Sequence, residues 1–413
     1  MPFQSRTRLA MVALLAALSL HHFEKGLNYL VVQNPAAGIE DFRHVRVWTA
    51  YFIDGVSPQS QNFLYSSRTN PADAAWAVGA DPRSPHGEIF TSGVPPWAFP
   101  LEIAAFIPGP ERAARIYFAA LNLFALGALL WLADGLLWRH RGDPVVRALT
   151  ALSVLAIGAN NNVLTQGQNG LLVNAGIVVV LTALERPASR AWAVAAGVGL
   201  AFAMIKPSSA LLFGLPLLAR RRWLSVGVCG AILAAATLFG SWWVQIPVAV
   251  QFAQFERATL VVIGQSVNVL MIAVLALAGS PSIARNLMGV LGLGLAVAAT
   301  LRLARRDALA LFAVLAVISR LFTYHRAHDD VLLAFAMIEL SRRGFAGKGS
   351  GGWQALWAAA GLSLWLPYSL YVARPLQVYQ LACWIAACAA IWWYEGKCER
   401  GESNPQSLSA TGS

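Results

Sequence analysis

The sequence predicts an all-α fold, a polytopic transmembrane helical bundle of about twelve spans with one long extracytoplasmic loop and re-entrant segments. Three observations predict it. Of the 413 residues, 57% are hydrophobic and 12% charged, against roughly 25% charged in a soluble domain, so the chain cannot cover itself with a solvated surface. Mean hydropathy is +0.56. Apolar runs recur along the chain and the arginines concentrate in the short connections between them, the positive-inside pattern of a membrane protein. That pattern also accounts for the net charge of +11, which in a soluble chain would point to nucleic acid; no nucleic-acid partner is implied. Cys229, Cys383, Cys388 and Cys398 show neither metal spacing nor a disulfide framework.

The first span runs over about 9–32, with Arg6 and Arg8 before it; no small-residue cleavage pattern follows, which reads as an uncleaved signal anchor. The polar loop of about 33–95 lies outside. An apolar piece at about 96–107 is too short to cross and opens on Pro95 and Pro96, which cannot donate backbone hydrogen bonds; it is expected to re-enter. A span at about 116–138 leads to Arg139, Arg141 and Arg147 inside. Segments 148–164 and 170–184 form a pair with an outer turn at Gln166-Gly-Gln-Asn169, and segments 191–205 and 208–219 a second pair, turning outside at Lys206-Pro207 and inside at Arg220-Arg-Arg222. Span 224–244 ends on Trp242-Trp243, an aromatic pair suited to the interface.

Were the next apolar piece, 267–278, to cross, Arg302, Arg305 and Arg306 would fall outside, so the charge rule predicts a second re-entrant element. Spans at about 286–303 and 308–321 then carry Tyr324 through Asp330 to the outer face, and 330–341, 353–371 and 376–394 complete a bundle with both termini cytoplasmic. Residues 1–398 form one integral-membrane domain; 399–413 is a polar tail of disordered composition.

This topology gathers the unusual polar residues on one face. Glu40 and Asp41 end the first span inside the largest loop, and His325, Arg326, His328, Asp329 and Asp330 crowd beside an apolar span, where ionisable groups are costly unless paired or used. Plainer roles exist for several. Asp41 could pair with Arg43 or Arg46, Gln168 and Asn169 could cap a helix, and Lys206 could snorkel. Glu102 is a rival carboxylate, while Asp134 and Glu339 sit beside arginines as neutralised structural charges. Together the cluster suits group transfer at a membrane surface. A carboxylate takes the proton of an acceptor hydroxyl, and Lys206, His325, Arg326 and His328 stabilise an anionic leaving group such as a lipid phosphate. His325 and His328 lack further metal ligands, so no metal is expected.

In order, Glu40-Asp-Phe42, Val94-Pro-Pro-Trp-Ala-Phe-Pro100, Thr165-Gln-Gly-Gln-Asn-Gly-Leu-Leu172, Ile205-Lys-Pro-Ser208 with Arg220-Arg-Arg-Trp223, Gln265-Ser266 and Phe322-Thr-Tyr-His-Arg-Ala-His-Asp329 make a set. It resembles the glycosyltransferase family 87 membrane proteins, which have the GT-C architecture, over about residues 1–345. The resemblance implies transfer of a hexose, often mannose, from a polyprenyl-phosphate donor to a lipid or glycan acceptor. The transfer takes place on the extracytoplasmic side of the cell membrane, with inversion and without a cofactor. Asp41 falls on the family's catalytic acid. Where the family usually has a tyrosine shortly after that acid, this chain has Val45 and Trp48, with Tyr51 further on. His325 and Arg326 fall where the donor phosphate is expected, with Lys206, Tyr324 and His328 alongside and Gln168 and Asn169 lining the pocket. The competing class is a non-enzymatic transporter or flippase of lipid-linked sugars, which favours broken helices and polar residues at the midplane.

Overall fold

The computed structural model describes residues 5–32, 40–83, 86, 93–104, 109–138, 143–263, 269–323, 326–345, 350–367, 370 and 374–399. Every regular element among them is a helix, so the all-α expectation holds. Helix α1 (Ser5–Leu27) widens into a π turn at Asn28–Val32. The long loop is itself helical, with α2 (Glu40–Ile53), α3 (Pro58–Ser66), a 3-10 turn at Pro71–Trp76 and, behind Pro95 and Pro96, the short α4 (Ala98–Glu102). Then come α5 (Glu111–Trp138), α6 (Pro144–Leu155), α7 (Gly158–Gln166), α8 (Gly170–Glu185) and α9 (Arg190–Ala203). Next are α10 (Pro207–Ala210), a 3-10 turn at Leu211–Gly214, α11 (Leu215–Ala219), α12 (Trp223–Trp243) and α13 (Val248–Ile263). The chain continues with α14 (Val269–Ala278), α15 (Pro281–Leu303), α16 (Ala308–Phe322), a 3-10 turn at Ala327–Leu333, α17 (Ala334–Phe345), α18 (Gly351–Trp365) and α19 (Arg374–Glu399). Local chemistry starts several of these. Ser57, Asp143, Ser189 and Asp307 each accept a first-turn backbone N–H, and Pro58 and Pro144 occupy the first helical turn, where a missing N–H costs nothing.

Among the described residues, four helices are long and apolar enough to cross a membrane: Glu111–Gly135, Trp223–Trp243, Pro281–Leu303 and Arg374–Glu395. A fifth crossing arises if α6 and α7, bent by 42° at their junction, count as one. The twelve-span expectation is therefore not met by length and composition. The physical reason is that several apolar segments are short and internal. Helix α8, with 16 residues, is about 24 Å long against a hydrocarbon core of about 30 Å. Helix α16 is buried from Ala308 to Leu321 on all its sides, so its apolar surface faces protein and not lipid. The expected first span also fails the test, because His21, His22, Glu24 and Lys25 occupy the second half of α1.

The core is built on α16 and α17, against which α5, α6, α8, α15, α18 and α19 pack. Helices α8 and α9 approach closely, since a Cβ on Gly176 would lie 2.5 Å from the Gly199 carbonyl oxygen, the small-residue contact familiar between membrane helices. The bundle's two ends differ in charge. At one end Arg8 faces Asp143 at 3.7 Å, Arg147 Nε donates to Asp134 at 2.6 Å, and Glu339 lies between Arg342 and Arg343, which also reach Asp307 and Glu395. Asp134 and Glu339 thus have the arginine partners expected of them. At the opposite end the loop helices and α13 form a cap with its own apolar centre of Trp48, Tyr51, Phe52, Phe99, Val244 and Ile246. Helix α14 spans about 15 Å and leads straight into α15, whose Arg285 bonds Glu256 of α13 at 3.1 Å. Arg305 and Arg306 then share the arginine end with Arg220–Arg222; residues 267 and 268 of the expected re-entrant piece lie outside the described residues.

Candidate functional site

Under the loop cap, several helices stop at one depth. Helix α7 ends at Gln166, α8 begins at Gly170, α10 begins just after Lys206, and the 3-10 turn Ala327–Leu333 follows the end of α16. Helix termini leave backbone groups unpaired, so a place where several meet must be polar even inside an apolar bundle. Gly167 is the pivot. Its φ is +72°, and a Cβ there would lie 2.2 Å from the Cβ of Phe42. Only glycine takes this left-handed turn freely, and only glycine lets the 166–169 turn press against α2 beside Asp41.

The turn sends its side chains to three different acids and bases. Gln168 Nε2 donates to Asp41 Oδ2 at 2.6 Å. Gln166 Oε1 lies 2.9 Å from His328 Nδ1, an acceptor that places the imidazole proton on that nitrogen. Asn169 Nδ2 donates to Glu102 Oε1 at 3.0 Å. A second set of contacts comes from the late loop. Lys206 Nζ pairs with Asp329 Oδ1, whose other oxygen accepts the Arg326 backbone N–H at 2.9 Å, and His328 Nε2 stands 3.6 Å from Asp329 Oδ1. Trp97 Nε1 donates to the Met204 carbonyl at 2.8 Å, tying the Pro-Pro-Trp segment to the Lys206 turn.

Burial sets the protonation of the two enclosed groups. Glu102 is 4% exposed; desolvation pushes its carboxyl up to about 8, against the opposing pull of the Asn169 hydrogen bond and the Lys206 charge. It is therefore a neutral acid at pH 7. Desolvation also holds His328 below its usual range, although Asp329 and then Asp41 pull the other way, with Lys206 and Arg326 adding to the depression. The imidazole is neutral, and it feels all four of those charges at once.

Asp41, Gln168, Asn169, Lys206, Arg326 and His328 thus come together. Tyr324, His325, Gln265 and Ser266 lie outside the described residues, as does the side chain of Glu40. The plainer roles do not describe what these side chains do. Arg43 faces Glu111 at 3.5 Å and Arg46 donates to the Gly109 carbonyl at 2.7 Å, so neither turns to Asp41. Asn169 makes no side-chain cap on α8, and Lys206 is bound to a carboxylate rather than extended to an interface. Asp330 is structural, held by Arg320 and by Gln380 Nε2 at 2.9 Å. Tyr51 is fully buried in the loop cap with its hydroxyl 3.3 Å from that of Tyr65, away from these contacts.

Sequence reasoning treated Gln166 only as part of a polar turn and Glu102 only as a rival of Asp41; the structure places both in the same assembly. The Gly between two glutamines was the available signal, because a turn that needs glycine at its centre points its flanking side chains apart. The model of glycosyltransferase family 87 matches residues 94–323, a stretch that holds Glu102, the 166–169 turn and Lys206, begins after Asp41 and ends before Arg326. No curated protein and no solved structure matches the chain.

Proposed function

The chain belongs to glycosyltransferase family 87, and from that premise we propose that it moves a hexose, mannose first among candidates, from a polyprenyl-phosphate sugar to a hydroxyl of a lipid or glycan acceptor. In this reading the reaction occurs at the extracytoplasmic face of the cell membrane and inverts the anomeric centre. Asp41 takes the acceptor hydroxyl proton, the oxygen attacks the anomeric carbon, and the bond to the polyprenyl phosphate breaks on the opposite side. The departing phosphate carries its charge towards Arg326, with Lys206 and His328 around it. Gln168 orients the Asp41 carboxylate, and Asn169 with the protonated Glu102 offers hydrogen bonds to sugar hydroxyls.

The observation that carries the reading is that Asp41 stands within electrostatic reach of the Lys206, Arg326 and Asp329 group around His328, although these residues come from three distant parts of the chain. A base and a cationic site side by side are what inverting transfer from a phosphate leaving group needs. Glu102 is less suited to the base role, because a carboxyl that titrates at about 8 holds its proton at neutral pH. The test is incubation of membranes bearing the full-length protein with labelled polyprenyl-phosphate sugars, then analysis of the lipid and glycan fractions. Label that appears in an acceptor only with nucleotide-sugar donors would rule the donor class out.

A further inference from the structure

At the arginine end, opposite the polar site, a cavity of about 850 Å³ is lined by Arg220, Arg221, Arg222, Arg305, Arg306 and Glu185. Five arginines and one glutamate thus line it, with Arg306 also donating to the Glu395 carbonyl at 2.7 Å. Scattered basic residues at a membrane surface orient the chain and do nothing else. These are not scattered: they come from two connections, after α11 and α15, and converge on one concavity. Arg220 builds the floor. Its Nε donates to the Ala304 carbonyl and one terminal nitrogen to the Leu184 carbonyl at 2.7 Å, closing the open ends of α15 and α8. Among the described residues no ion pair or side-chain hydrogen bond holds Arg221, Arg222 or Arg305, whereas nearby Arg342 and Arg343 are matched by Glu339, Asp307 and Glu395.

The backbone points the same way. The Arg222 N–H bonds the Leu217 carbonyl at 2.8 Å and the Arg221 N–H bonds that of Leu218 at 3.0 Å, the paired pattern of a helix end whose left-handed residue is ordinarily glycine. Here that residue is Arg221, with φ +55°, a left-handed conformation that side-chain-bearing residues seldom adopt. Leu218 and Trp223, the chain neighbours of the lining residues Ala219 and Arg222, are 42% and 63% exposed. The cavity is thus cationic with exposed apolar side chains next to its lining, the arrangement of a head-group pocket between membrane helices.

We propose that this cavity binds the phosphate head group of an anionic phospholipid of the cytoplasmic leaflet, its acyl chains lying along the apolar rim of Leu218 and Trp223. Guanidinium groups suit phosphate oxygens geometrically, and a free phosphate would leave the apolar rim unused. This site is separate from the proposed transfer site and does not depend on it.

The test uses the full-length protein in neutral detergent, with lipid retention read by native mass spectrometry and stability by thermal unfolding. Phosphatidylglycerol, phosphatidylcholine and inorganic phosphate are the three probes. Phosphatidylglycerol should be retained and raise the unfolding temperature, with the other two well behind at equal phosphate concentration. A triple variant, Arg221→Asn, Arg222→Gln and Arg305→Gln, keeps Arg220 and uses asparagine, which tolerates a left-handed backbone. It should bind phosphatidylglycerol on the order of a hundredfold more weakly, about fivefold per arginine. Arg305→Gln alone, which disturbs no backbone, should weaken binding about fivefold. A control pair, Arg6→Gln and Arg190→Gln, exposed but outside the cavity, should bind as the unaltered protein does. Equal retention of the two lipids, unchanged binding by both cavity variants, or an equal loss in the control pair would overturn the proposal. Full stabilisation by inorganic phosphate would overturn the lipid assignment and leave a free-anion site.

Discussion

Asp41→Asn separates charge from shape at the proposed base. The substitution keeps the size of the side chain and leaves an oxygen to accept from Gln168 Nε2, which now donates to Asp41 at 2.6 Å. Asp41 is half-buried and makes no ion pair with Arg43 or Arg46, which face Glu111 and Gly109. The structural cost is therefore that of one altered hydrogen bond, about 1 kcal/mol, and the protein should fold and bind donor. What is lost is the group that takes the acceptor proton. General-base catalysis contributes typically 10²–10⁴-fold, so kcat should fall by that factor, or about 3–5 kcal/mol of barrier, with KM for the donor nearly unchanged. Glu102→Gln is the paired control. Glu102 is neutral at pH 7, and glutamine keeps an oxygen for Asn169, so transfer should drop by less than about tenfold, the worth of one neutral hydrogen bond. The assay is initial-rate transfer of labelled sugar from polyprenyl phosphate by purified protein, each variant first checked for monodispersity and unfolding temperature. Near-normal kcat in Asp41→Asn, together with a collapse in Glu102→Gln and a wild-type kcat that climbs with pH through about 8, would refute the assignment and make Glu102 the base.

Other consequences follow from the same contacts. Gly167→Ala must both hold φ at +72° and place a Cβ 2.2 Å from that of Phe42, so it should cost at least about 2 kcal/mol and nearly abolish transfer; thermal unfolding and the transfer assay read the two effects. Lys206→Ala removes the cation paired with Asp329, which is 2% exposed, and should destabilise by about 3–5 kcal/mol, with partial recovery when Asp329→Asn is added. Arg326→Ala is the cleaner probe of the donor phosphate, and should raise donor KM about ten- to a hundredfold, the value of a charge-assisted bond. For Glu102 the folded carboxyl titrates at about 8 against 4.5 ordinarily, so the folded state holds its proton more tightly. Its contribution to stability is greatest below about 4.5 and is lost as pH rises to about 8. Measured as wild type minus Glu102→Gln, the unfolding free energy should decline across that window and be level above it.

The sequence alone settled the class. So few charged residues in so apolar a chain admit no solvated surface, and the arginine-bearing connections divided the polar residues between two ends. That division held: Arg220 to Arg222 do share an end with Arg305 and Arg306, and Asp41, Lys206 and His328 do share the other. Order along the chain also pointed to the family, because a short helix-ending motif such as Gln-Gly-Gln-Asn-Gly keeps its meaning wherever the fold carries it.

Only the tertiary structure decided which helices face lipid and which polar groups are partners. Hydropathy cannot distinguish α16, enclosed by protein on every side, from α15, whose outer surface is exposed, since both environments are apolar. Nor could sequence tell that Gln168, and not Arg43, holds Asp41, because the two are 127 residues apart and the pairing exists only where α2 presses on the turn at Gly167. The protonation of Glu102 was equally invisible. A glutamate in a short apolar piece can be a surface acid or a buried neutral one, and the difference is made by desolvation, a property of the packed assembly around α4 and not of the residues on either side of it.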